Sequence, residues 1–285
     1  MEHVLTEVAT RVLARFESTP SSERLLIGIA GVPGSGKSTL AYPLVDRLNA
    51  LLGVKVAEAT EVDLEEVVAA PGKEHPADEV AVAVGLDGWH YPLEALDAFP
   101  DPVEARRRRG AAFTFDATSY VSFIRALRAQ PYLTSVPYPT FSHALKDPQP
   151  SPSPILPNHR IIVIEGLYCL LGVEPWREAA GLLDERIFVD VDREVARDRL
   201  VRRHLHTGVE TEREAAEKRV DLSDMLNGDY IREHLFEPTL QISSLEDSAF
   251  AAALAQLTDS DIYVTPYNLT LINNATVAVG IYQAS

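Results

Sequence analysis

Gly31, Gly34, Ser35, Gly36, Lys37, Ser38 and Thr39 fall in one short run, GVPGSGKST, where Gly31 is followed by four residues and then Gly36, Lys37 and Ser38. That spacing suits a loop that cradles phosphates. Glycines permit the dihedral angles by which successive backbone N–H groups turn toward phosphate oxygens. Lys37 then reaches the β and γ phosphates, and the Ser38 hydroxyl ligates Mg²⁺ at the head of a helix whose dipole favours anions. A dinucleotide-binding turn does not fit, because Thr39 stands where its third glycine belongs. The ligands read from the run are a nucleoside triphosphate and Mg²⁺.

Two carboxylates follow apolar runs. Asp87 comes after VAVAVGL and Glu165 closes RIIVIE. In an open parallel sheet ligands sit outside the carboxyl ends of the strands, so Asp87 should face the crevice of the phosphate loop. Transfer of a phosphoryl group to an alcohol needs a carboxylate that accepts the hydroxyl proton, and Asp87 is the candidate base. Glu165, in so apolar a run, needs a partner: a Mg²⁺ beside Ser38 would serve, and so would hydrogen bonds to structural groups.

The basic residues offer a second constellation. Helical spacing puts Arg199 on one face with Arg202 or Arg203, and cations of that kind, arriving when a lid closes, stabilise charge on a transferred phosphoryl group. Surface pairing with Asp192, Glu194 or Asp198 is the alternative. Arg106 to Arg109 read mainly as a solvated face paired with nearby acids, with Arg108 set apart as a candidate for an anion-binding pocket. His90 and His143 lack any metal-ligand spacing and read as structural or substrate hydrogen-bonding groups.

These residues need a scaffold. Apolar strand-like runs at 25–30, 80–86, 160–165 and 186–191 alternate with helical patterns, the first over about 37–52, which predicts an α/β fold with a mostly parallel sheet flanked by helices. The charged stretch 192–220, broken near Gly208, predicts a helical lid over about 193–215. The acidic segment 57–79 reads as an insertion or surface loop, and the proline-dense 147–158 as an irregular connection. Two strand-like runs over 269–282 flank Asn273 and Asn274 and predict a terminal hairpin. The sequence leaves open whether it finishes the sheet edge or pairs with a second subunit in a homodimer.

At 285 residues and 46% hydrophobic composition, one P-loop domain over 1–285 with a sizeable core is expected, its acceptor-binding region at about 87–148 and a C-terminal extension at about 249–285. The net charge of -16 argues against nonspecific binding to nucleic acid or to anionic membrane. A single cysteine, Cys169, forbids an intrachain disulfide and fits a reducing compartment. The amphipathic start with early acidic residues fits neither a secretory signal nor a transit peptide, so a cytoplasmic location is expected.

The ordered set GIAGVPGSGKST, LDGWHYP, RRGAAFTFDA, VPYPTFSHALKDP, IIVIEGLYCLL and RLVRRHLHTG resembles the phosphoribulokinase and uridine kinase superfamily of P-loop kinases over roughly residues 22–248. Within it the pattern is most similar to the type I pantothenate kinase-like branch and the fungal and bacterial nucleoside or sugar kinase-like proteins beside it. The resemblance implies that Asp87 is the catalytic base and that Arg108, Thr114, Phe115 and Asp116 shape the acceptor pocket. It also implies that Tyr138 and His143 contact the acceptor, that Glu165 ends a Walker B-like strand, and that Arg199 and Arg203 belong to the lid. Trp89, Ala112 and Leu167 depart from the residues usual there, beside the acceptor pocket. The function so implied is ATP-dependent phosphorylation of a hydroxyl on a small molecule such as pantothenate, a nucleoside or a sugar. The alternative is a nucleotide-regulated NTPase switch acting through a protein partner, although the guanine-reading Asn-Lys pair of a GTPase is lacking.

Overall fold

LLIGIAG forms β1 (Leu25–Gly31), every residue of which is buried. A strand with no polar alternation must be covered on both faces, and this one lies inside a parallel sheet. In the computed structural model, which describes residues 2–54, 79–129, 134–244 and short strands at 263–265, 268–270 and 279–282, helix α1 (Glu2–Ser18) precedes β1 and α2 (Lys37–Leu51) follows it. Then come β2 (Ala81–Gly85), a 3-10 turn Leu86–Trp89, and short helices α3 (Leu93–Leu96) and α4 (Pro102–Arg107). Next are α5 (Ala117–Arg128), β3 (Pro139–Ser142), β4 (Asp147–Pro150), β5 (Ile161–Glu165), α6 (Trp176–Gly181) and β6 (Glu185–Val191). The chain continues with α7 (Arg193–His206), α8 (Arg213–Arg219), a π-turn Val220–Asp224, α9 (Met225–Glu233) and β7 (Leu240–Ser244).

The main sheet has the order β7-β6-β1-β5-β2 with all five strands parallel, and β10 (Val279–Tyr282) joins β7 antiparallel at the edge. Strand periodicity divides the core. Leu25, Ile27, Ile29, Ile161, Val163 and Ile187 face one layer, where they pack with α1 and α2. Leu26, Ala30, Ile162, Ile164 and Phe188 face the other, filled by Trp89, Phe115, Tyr120, Phe123, Tyr168 and Trp176. The result is a helix–sheet–helix sandwich whose central strand ends at the phosphate loop.

Two expectations need correction. A C-terminal hairpin exists, but β8 (Tyr263–Thr265) pairs with β9 (Asn268–Thr270), while β10 leaves for the β7 edge. The runs expected to pair over 269–282 therefore part company, because an open strand edge offers β10 a full row of backbone partners; Asn273 and Asn274 lie outside the described residues. Secondly, the proline-dense segment is not wholly irregular, since β3 and β4 form a two-stranded ribbon that pairs Pro139 with Pro150. The charged stretch 192–220 is helical and broken near Gly208 as expected, with Gly208 at φ +66°. The segment 57–79 lies outside the described residues except for Glu79. Among the described residues no helix is long and apolar enough to cross a membrane.

Candidate active site

Gly34 at φ +78° and Gly36 at φ +87° hold the turn between β1 and α2 in the left-handed region that glycine tolerates. Gly36 is the N-cap of α2 and has no side chain to cap it, and the helix has no acidic residue in its first turn. The first-turn N–H groups are thus left for an anion. Ser35 is buried inside the loop, while Lys37, Ser38 and Thr39 open the helix.

Glu165 comes to this loop from the neighbouring strand. It sits in register between Ile29 of β1 and Gly85 of β2, and its Oε2 accepts a hydrogen bond from Ser38 Oγ at 3.2 Å. Tyr42, one helical turn beyond Ser38, also hydrogen-bonds the carboxylate. Burial pushes the Glu165 carboxyl up to about 7, against the pull of Lys37 and with a further push from Asp87. A hydroxyl and a carboxylate that burial leaves short of positive charge are the hard oxygen donors a divalent cation such as Mg²⁺ prefers, so Ser38 and Glu165 fit that ion.

Asp87 occupies the 3-10 turn that leaves β2, with its side chain 53% exposed. His90 braces that turn, its Nδ1–H donating to the Asp87 carbonyl at 2.8 Å. The His90 ring packs on Phe115 and Phe141 at centroid distances of 3.9 and 5.1 Å, and burial lowers its pKa, which favours the uncharged ring. Gly88 lets the β3–β4 ribbon press onto the turn: a Cβ there would overlap the Pro139 carbonyl, which is backbone and cannot swing aside. Gly88→Ala is expected to cost about 3 kcal/mol of stability in a urea titration. A melting curve matching wild type would show that the ribbon does not clamp the base's turn.

Helix α7 closes the other side of the loop. Gly34 lies against Ala196 and Leu200, so close that an added Cβ would come within 2.9 Å of the Ala196 carbonyl. On the same helical face, Arg199 Nη1 donates to Gly34 O at 3.2 Å and to Ser244 Oγ at 3.0 Å, and Arg203 follows one turn later, half-buried. Arg202 is exposed.

The acceptor-side residues divide. His143 is exposed on the turn after β3, its ring 5.4 Å from that of Phe141 and near His90. Arg108 Nη2 donates to Asn227 Oδ1 at 3.1 Å. Tyr138 is buried against Phe123 and its hydroxyl meets Ser151, while the next residue, Pro139, turns its carbonyl onto Gly88 beside Asp87. Its aromatic body is part of the core. Two residues went unforeseen. Tyr42 had a signal, since it lies four positions after Ser38 on one helix face. Asn227 had none, because its partners Arg108 and Gly110 are distant in the chain.

A strand, phosphate loop and helix at the centre of a parallel sheet, with one carboxylate ending the neighbouring β5 and another on the turn after β2, define a P-loop nucleotide-binding protein. A family model described as an AAA domain matches residues 27–219. An ATP-dependent kinase-like protein of Aspergillus versicolor is 47% identical over 148 residues, which cover 51% of this chain and 86% of that one. A Schizosaccharomyces pombe protein bearing the name "putative uridine kinase" is 34% identical over 225 residues, 78% of this chain and 84% of that one. The crystal structure of a "putative fructose transport system kinase" from Silicibacter sp. TM1040 superposes with a TM-score of 0.65 and 27% identity, covering 83% of this chain and 98% of that one. The chain belongs to the P-loop kinases related to uridine kinase.

Proposed function

We propose that this kinase transfers the γ-phosphate of ATP to a hydroxyl of a small metabolite, with Asp87 as the base. The observation that carries the reading is the meeting, at one end of the sheet, of the phosphate loop, the Ser38–Glu165 pair and the half-exposed Asp87 on the turn after β2. Lys37 and the first-turn N–H groups of α2 would hold the phosphates, and Arg199 with Arg203 would add charge from the α7 side. Ser38 and Glu165 would hold Mg²⁺, which supplies neutralisation of the phosphate oxygens. The Asp87 carboxylate accepts the proton of the attacking hydroxyl; the new bond is oxygen to γ-phosphorus, and ADP leaves. His90 keeps the base's turn in place rather than competing for the proton.

The names of two relatives, a "putative uridine kinase" and a "putative fructose transport system kinase", point to nucleoside and sugar acceptors, which supports a small-molecule hydroxyl without choosing among them. The test is ADP formation with Mg²⁺ and ATP against pantothenate, nucleosides and free sugars, with the product identified by mass. An acceptor that stimulates ADP formation and gains one phosphate is the expected result. Hydrolysis that no acceptor stimulates, but that a protein partner does, would replace this reading with the nucleotide switch.

A further inference from the structure

Three of the four consecutive arginines are neutralised where they stand: Arg106 by Asp97 at 2.6 Å, Arg107 by Glu104 at 2.6 Å and Arg109 by Asp147 at 2.7 Å. Arg108 is not. Among the described residues no carboxylate forms an ion pair with its guanidinium, the nearby Glu104 being paired with Arg107; its Nη2 is met by the neutral Asn227 amide, and its buried Nε has no hydrogen-bond acceptor. A half-buried cation matched to an amide, in a chain of net charge -16 that had acids to spare, keeps its charge for something external.

The amide is itself fixed. Asn227 is 4% exposed, and its Nδ2 donates to Gly110 O at 3.2 Å, a carbonyl that also accepts from the Tyr168 hydroxyl at 2.7 Å. Only one orientation of the amide satisfies both bonds, with Oδ1 toward the guanidinium. Its neighbour Gly228 sits against Val32 and Pro33 of the phosphate loop, where a Cβ would lie 3.5 and 3.6 Å away. One turn of α9 therefore joins the phosphate loop to the Arg108–Gly110 segment. Burial raises the Tyr168 hydroxyl, which Arg108 pulls down and Asp87 pushes up, so both charged groups lie about the same phenol.

We propose that Arg108, presented by Asn227, receives an oxyanion of the acceptor, so that the molecule phosphorylated carries a carboxylate or phosphate besides its hydroxyl. The inference rests on the kinase reading above and narrows it away from neutral nucleosides and free sugars. Asn227 acts as a positioning residue, keeping the guanidinium uncompensated and aimed.

Two measurements test it. With the phosphate loop saturated by Mg²⁺ and a non-hydrolysable ATP analogue, inorganic phosphate is titrated calorimetrically into wild type, Arg108→Met and Asn227→Asp. Both variants should bind phosphate at least about tenfold more weakly than wild type, because the first lacks the cation and the second supplies an internal carboxylate for it. Matched acceptors then separate the sources of the anion: glycerate against glycerol, pantothenate against pantothenyl alcohol, ribose 5-phosphate against ribose. Wild type should prefer the charged member of one pair by about a hundredfold in kcat/KM, and Asn227→Asp should collapse that ratio, which a merely structural role for Asn227 would leave intact. Equal phosphate affinity in all three proteins overturns the proposal, as does preference for the neutral members. So does a variant that loses the ATP analogue instead of phosphate, which would give the guanidinium to the nucleotide. Phosphate binding through Arg108 in a protein that turns over no acceptor would refute the kinase reading while leaving the anion site standing.

Discussion

Asp87→Asn should lower acceptor-dependent turnover by about 10²- to 10⁴-fold, the range that a positioned general base supplies. The substitution is isosteric and falls on a side chain that is 53% exposed, so the turn it occupies, held by the His90 bond to the Asp87 carbonyl, should survive. Binding of ATP should therefore persist, because the phosphate loop follows β1 and Glu165 ends β5, whereas Asp87 lies on the turn after β2. The diagnostic pattern is a fall in kcat with the dissociation constant of a non-hydrolysable ATP analogue unchanged. A smaller second effect follows from charge. Asp87 helps raise the Glu165 carboxyl, so its removal should draw Glu165 down from about 7 and favour the ionised form at neutral pH. An Asp87→Asn enzyme with wild-type turnover would remove Asp87 from the mechanism.

What could be read from the sequence was what lies close along the chain. Gly34, Gly36, Lys37 and Ser38 are eight residues or fewer from the start of their loop, and their spacing alone announces the phosphate site. Asp87 and Glu165 could be placed because each follows an apolar run, and strand ends in a parallel sheet share one crevice. The contacts between distant segments could not be foreseen. Asn227 reaches Gly110 across 117 residues, and no local pattern foretells it. The packing of the Tyr138 ring against Phe123 in the core is likewise a contact between separate segments that no local spacing announces. The β3–β4 ribbon was hidden by its own prolines, which usually argue against a strand but are tolerated where a two-stranded pair has free edges.

Glu165→Gln should produce the largest divergence between stability and activity. The carboxyl titrates near 4.5 when the chain is unfolded and at about 7 when it is folded, so the folded state holds the proton more tightly. Between those values the folded protein binds more protons than the unfolded one, and stability falls as pH rises. Below pH 4.5 the group contributes no pH dependence; above pH 7 its ionised form carries a full burial penalty, about 3 kcal/mol. Glutamine keeps the size and the hydrogen-bond acceptor for Ser38 but cannot ionise. In EDTA, urea titrations should find wild type and Glu165→Gln similar at pH 4.5 and the variant more stable by about 3 kcal/mol at pH 8. Activity should move the other way, by about 10²-fold or more, because the amide removes the negative charge that would hold Mg²⁺ beside Ser38. Adding Mg²⁺ with nucleotide should then stabilise wild type at pH 8 far more than the variant, since a cation next to the carboxylate offsets the penalty that burial imposes. Equal stabilisation of both by Mg²⁺ would place the ion elsewhere. A variant no more stable than wild type at pH 8 would mean that Lys37 and the Ser38 and Tyr42 hydroxyls already satisfy the buried charge, and that Glu165 is a structural anchor of the loop.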